Sequence, residues 1–173
     1  MKTGKFTAII ILLFITFFIS SSTMMYSSTV IDKIRPTSGE IPAGYMFGQV
    51  PGFAQSLLKS NPWNLDQTAI KKMTSRIYPG GEYSKISDLH MTIITNKRNP
   101  YGDDIVCYIF IFKNEKAAAE EIYKLNEFVS YNSDRAIIIE KKNLAVFMHV
   151  DSIKDFDHIK NLSENIKKKL ESL

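Results

Sequence analysis

Asp88, His90 and His149 are the side chains in this sequence with the most obvious chemical potential. On an extended segment Asp88 and His90 alternate onto one face. With His149 on a second strand, a carboxylate and two imidazoles could converge as metal ligands or as the acid and base of a hydrolase. The spacing contains no H-E-x-x-H or comparable ligand pair, and a metal site needs three or four ligands with supporting partners. No serine lies in G-x-S-x-G or S-x-x-K. Cys107 sits inside Ile105-Val106-Cys107-Tyr108-Ile109-Phe110, where burial raises a thiol pKa and leaves a small hydrophobe. Asp103 and Asp104 follow a Pro-Tyr-Gly turn and bring too few oxygens for calcium. Pro79-Gly80-Gly81 follows a helical pattern, so it reads as a helix terminator and not as a phosphate cradle. The residues therefore yield no catalytic, metal-binding or cofactor-binding assignment. A hydrolase using Asp88, His90 and His149 stands as the alternative to a binding function.

Aromatic residues offer the other chemistry. Tyr45, Phe47, Phe53 and Trp63 are interleaved with glycine and proline, a composition that can line a pocket or a partner-binding groove. Tyr108 and Phe110 join them as alternate residues on one face of an apolar strand. These six are the candidate residues for binding a partner protein or a small apolar ligand.

The elements that must position them follow from periodicity. Residues 32–51 carry Pro36, Gly39, Pro42, Gly44, Gly48 and Pro51 and read as a spacer. Phe53 to Lys59 suits a short helix. Asn64 as N-cap, with Leu65, Ile70, Met73 and Ile77 as an apolar stripe, predicts a second helix ending near Tyr78. Ile86 to Asn96 and Ile105 to Phe112 predict a hairpin turning at Asn99 to Asp103. Glu115 to Val129 has helical spacing, with Asn114 as its cap. Arg135 to Lys141 and Leu144 to Val150 predict a second hairpin, turning at Lys142-Asn143. Ile153, Phe156, Ile159, Leu162, Ile166 and Leu170 form the stripe of a last helix.

The predicted fold class is α+β: a four-stranded antiparallel sheet in ββαββα order with two extra N-terminal helices. That order is a ferredoxin-like βαββαβ unit with its last strand moved to the front, and it places both later helices on one sheet face. The central strand then leaves an apolar stripe needing other cover. The segment from Tyr45 to Tyr78, a second copy of the chain or a ligand would each supply it.

Lys2 and Lys5, the apolar block Phe6 to Ile19 and Ser20-Ser21-Ser22 have the order of an export signal. Ser20 and Ser22 suit cleavage before Thr23. Alternatively the uncharged stretch from Phe6 to Ile31 exceeds the roughly 20 residues that span a bilayer and forms an anchor. The domain reading is thus 1–31 signal peptide or anchor, 32–51 spacer and 52–173 a single α+β domain. The formal charge of +4 falls to +2 once Lys2 and Lys5 are set aside, too little to argue for nucleic acid. A single cysteine allows no internal disulfide. Together these features predict an exported, noncatalytic domain that binds a protein or a small apolar ligand, works outside the cytoplasm and meets the membrane only through its N-terminal segment. A self-associating structural domain, as a homodimer, is a further alternative.

Overall fold

A strand that is apolar on both faces needs cover on both, and the computed structural model of the chain supplies it from two sides. The structure describes residues 29–49, 64–77 and 80–173, leaving aside the side chains of Tyr101 and Asp103. Phe53, Trp63 and the short helix expected at Phe53 to Lys59 lie outside the described residues. The chain divides into two compact units, Met1–Lys33 and Ile34–Leu173. Residues 29–33 are the described part of the first and are helical. The sheet and the helices that pack on it belong to the second.

In chain order that unit carries β1 (Tyr45–Phe47), α1 (Gln67–Ile77), β2 (Ile86–Asn96), β3 (Asn99–Phe112), α2 (Glu115–Tyr131), β4 (Ala136–Lys141), β5 (Leu144–Val150) and α3 (Phe156–Glu171). The fold is α+β, as the periodicity indicated. The strands form one antiparallel sheet in the order β1-β2-β3-β5-β4. The sheet is larger than the four strands expected. Its fifth strand, β1, comes from the stretch read as a spacer, where Tyr45 to Phe47 pair with Asn96 to Ile94. Asn64 makes a further antiparallel bridge to His90 on the same side of β2, and the Leu65 N–H donates to the Leu89 carbonyl at 2.9 Å.

The helices do not share a face, which corrects the ferredoxin-like layout. Register places Tyr108, Phe110 and Phe112 of β3 on the same side as Leu89, Ala145 and Phe147. This side forms one core with Leu65, Ala69, Ile70 and Ile77 around α1 and with Ala118, Ile122 and Leu125 of α2. The opposite side presents Cys107, Ile109 and Ile111 with Val146 and Met148, all buried. There α3 buries Ile159, Leu162, Ile166 and Leu170, and Lys141, on that same sheet face, donates Nζ–H to the Leu170 carbonyl at 2.7 Å. Two amphipathic helices on opposite faces satisfy a doubly apolar strand directly; a ββαββα order does not by itself say which face each helix takes.

Local chemistry sets the boundaries. Asn114 caps α2, its Oδ1 accepting from the Ala117 N–H at 2.8 Å. At α1 the cap is Asp66, whose carboxylate accepts from the Ala69 N–H at 2.7 Å, and not Asn64 as expected. The first hairpin turns at Lys97 and Arg98, earlier than expected. Its register then jumps from Asn96↔Asn99 to Thr95↔Asp104, so that residues 100–103 bulge from β3. A Cβ at Gly102 would overlap the Asn99 side-chain amide, so any other residue there would require that amide to swing aside. The second hairpin turns at Lys142-Asn143 as predicted, with Lys142 at φ 54° and the Asn143 amide donating to the Phe112 carbonyl at 2.9 Å.

Candidate functional site

Where the α1 and α2 ends diverge from the sheet, a cleft of about 390 Å³ opens on the Tyr108 face. Its floor comes from the sheet: Tyr108 of β3, Phe147 and His149 of β5 and Ala136 of β4. These residues face one way because Tyr108 pairs with Phe147, and His149 with both Val106 and Ala136. The Tyr108 ring lies nearly parallel to those of Phe147 and His149, at 6.0 and 6.2 Å. Met73, Arg76 and Ile77 of the last turn of α1 form one wall, and Phe128 of α2 with Asn132 and Arg135 of the following turn form the other. Phe128 meets Phe147 edge-on at 5.8 Å.

The polar groups in the cleft are unevenly satisfied. Arg135 is engaged by Asp134, at 3.2 Å from Nε, and the Asn132 amide donates to the Phe128 carbonyl at 2.8 Å. Arg76, the Tyr108 hydroxyl and the His149 ring nitrogens have no hydrogen-bond partner among the described residues. Burial, reinforced by the Asp151 charge, pushes the Tyr108 phenol up to about 12, so it is a proton donor at neutral pH. Burial lowers the His149 pKa despite the opposing pull of Asp151, favouring the neutral ring. Asp151 itself accepts from the Asp104 N–H at 3.2 Å. An aromatic floor with a few convergent, unpaired donors is suited to holding a small molecule in a fixed orientation.

The candidate aromatic residues separate into different surroundings. Tyr108 lines this cleft, and Phe110 lies wholly buried in the core beside it. Tyr45 is on the outer strand, where its hydroxyl donates to Asp155 at 2.5 Å and its ring meets His158 edge-on at 5.0 Å. It borders a smaller polar hollow of about 190 Å³ with Asn96, Asn99 and Ser152. Phe47 is on the same strand and exposed. The six residues do not form one described surface.

Asp88, His90 and His149 are not brought together. Asp88 and His90 project from the α3 side of β2, whereas His149 projects from the α1–α2 side of β5, with the sheet between them. His90 is fully buried and its polar atoms are matched: Nδ1 lies 2.6 Å from Asn64 Oδ1 and Nε2 3.1 Å from Thr92 Oγ1. Since Asn64 Oδ1 can only accept, Nδ1 carries the proton and the threonine hydroxyl donates to Nε2. Burial, with a smaller push from Arg35, lowers its pKa to about 4. This is the environment of a neutral structural histidine. Among the described residues no three histidine, cysteine or carboxylate side chains group as metal ligands.

Sequence reasoning missed the cleft walls. Met73, Arg76, Phe128 and Arg135 come from three separate segments, and only the packing of α1 and α2 on one face gathers them. The available signal was parity: Phe147 and His149 alternate on one strand, as do Tyr108 and Phe110 on another. Comparison with protein-family models, curated proteins and solved structures finds no match to this chain.

Proposed function

We propose that this chain is an exported, noncatalytic binding domain whose cleft beneath α1 and α2 takes a small ligand with an apolar body. The observation that carries the reading is the coincidence of an aromatic floor, Tyr108, Phe147 and His149, with polar groups that have no partner among the described residues. Unpaired polar groups in a half-buried site are unfavourable unless water or a ligand satisfies them. A volume of about 390 Å³ lies at the small end of the range for ligand pockets. Export is proposed from the lysines, apolar block and serines at residues 2–22. Among the described residues no helix is long and apolar enough to cross a membrane.

The test is a titration of the full chain with naphthalene, followed through the methyl and ring resonances of Met73, Phe128 and Phe147. Saturable shifts at these residues are expected, and Met73→Trp, which fills the mouth of the cleft, should remove them. Shifts confined to other surfaces, or none at saturation, would overturn the assignment.

A further inference from the structure

We propose that the ligand of this cleft is a small aromatic acid, its ring lying against Phe147 and Tyr108 and its anionic group held by Arg76 and the Tyr108 hydroxyl. The inference rests on the cleft being a ligand site and adds the chemistry of the ligand.

The polar lining is dominated by donors. Arg76 is in the last turn of α1, makes no hydrogen bond or ion pair among the described residues and faces a cleft with no carboxylate in its described lining. The Tyr108 hydroxyl is a second donor without a partner among the described residues, in a residue only 6 % exposed. Arg76 also acts on the Tyr108 phenol, lowering a pKa that burial and Asp151 raise, which puts the guanidinium within electrostatic reach of the hydroxyl. Two carboxylates close in sequence to lining residues are already engaged, Asp134 by Arg135 and Asp151 by the Asp104 N–H. A guanidinium and a phenol that line one cleft, neither partnered among the described residues, are complementary to a group that only accepts, and charge assistance makes a carboxylate the best such acceptor. Neutral apolar ligands would fill the floor and leave both donors unmatched. An aromatic body fits better than a branched aliphatic one because Tyr108 and Phe147 lie stacked at 20° between planes, presenting a broad π surface.

Isothermal titration of the full chain with 2-naphthoate and with its neutral isostere 2-naphthamide tests this. Naphthoate should bind about tenfold or more tightly than the amide, and that advantage should shrink as salt is raised. Arg76→Gln should bring the two affinities to within about threefold, while Arg76→Lys should keep part of the difference. Arg76 is exposed and has no partner among the described residues, so thermal unfolding should report an intact fold in both variants; should either fail to fold, the acid-to-amide ratio and its salt dependence on the unaltered chain still decide. Equal affinity for acid and amide would overturn the acid inference while leaving an apolar cleft in place. An advantage unchanged in Arg76→Gln would remove Arg76 from the site. Binding of neither probe would overturn the ligand site and this inference together.

Discussion

His90 keeps an imidazole dry in the middle of a strand, and the pH dependence of folding should carry its signature. The unfolded ring titrates near 6.5, whereas burial first and Arg35 second bring the folded value to about 4. Between those limits the unfolded chain takes up a proton that the folded chain refuses. The stability supplied by the neutral ring is therefore complete above pH 6.5 and is lost as pH falls toward 4. The loss amounts to about 3 kcal/mol in full. Glu40 and Glu121, whose pKa values are lowered, add acid sensitivity only below the ordinary carboxylate range. For Glu121, burial alone would raise the pKa; the Glu82 N–H at 2.8 Å and the Lys124 and Lys85 ammoniums at 2.8 and 3.2 Å outweigh it. Urea denaturation between pH 6.5 and 5 thus reads the two buried histidines, since burial lowers the His149 pKa as well, and comparison with a His90 variant separates their shares. His90→Gln should lower stability at pH 7 by about 1–3 kcal/mol through the lost Asn64 bond, and it should reduce the slope in that window to the part that His149 supplies. A slope as steep as that of the unaltered chain would assign the transition to other groups. His90 and His149 look equivalent in the sequence; the chain places one in a closed hydrogen-bond set and the other, on the opposite face, at the floor of a cleft.

At the level of elements, much of the fold was readable because most segments carry a single periodicity. The stripes Ile70-Met73-Ile77 and Ile159-Leu162-Ile166-Leu170 became helices ending within a residue of the expected ends, although the last begins at Phe156, three residues after the expected Ile153. The second hairpin fell in its expected register because two polar residues between two apolar runs leave little choice. The misses share a cause: each depends on a partner distant in sequence. Three residues, Tyr45 to Phe47, carry too little pattern to announce a strand, and become one because the outer edge of β2 offers unpaired backbone groups. The facing of α2 and α3 is likewise set by which stripe of β3 each meets. The expectation that the segment before Gly81 is integral to the domain can be stated for α1. Leu65, Ala69, Ile70 and Ile77 are all buried in the core that contains Tyr108 and Phe110. Ile70→Ala should cost about 2–5 kcal/mol, read by urea denaturation at neutral pH. A chain beginning at Gly81 should be oligomeric or insoluble by light scattering, because the Phe110 face loses a helix. A loss below about 1 kcal/mol for Ile70→Ala, with a monomeric short chain, would reduce α1 to a peripheral strap.

For the whole molecule, stability and destination are separate arguments that meet at one residue. Cys107 is the only cysteine, buried and unpaired on the α3 face of β3, with burial holding its thiol up to about 12. A thiolate is the reactive form, so the residue is inert in the native state, and the unit Ile34–Leu173 is held by packing on two sheet faces with no need of an oxidising environment. The fold is therefore compatible with either side of a membrane, and the choice falls to the N-terminal residues. Lys2 and Lys5 followed by fourteen uncharged residues, Phe6 to Ile19, have the positive end and apolar core on which the proposed export rests. A charge at the centre of such a core opposes insertion by about 2.5–3.5 kcal/mol. A reporter enzyme active only outside the cytoplasm, fused after residue 35, should therefore be active in the native host, and replacing Leu12 by Asp should return it to the cytoplasm. N-terminal sequencing of the mature chain should begin at Thr23 or close to it if Ser20 and Ser22 direct cleavage; an intact Met1 in the membrane fraction would make the uncharged stretch to Ile31 an anchor. A fusion that stays inactive and protected from added protease would place the proposed binding cleft in the cytoplasm and end the case for export.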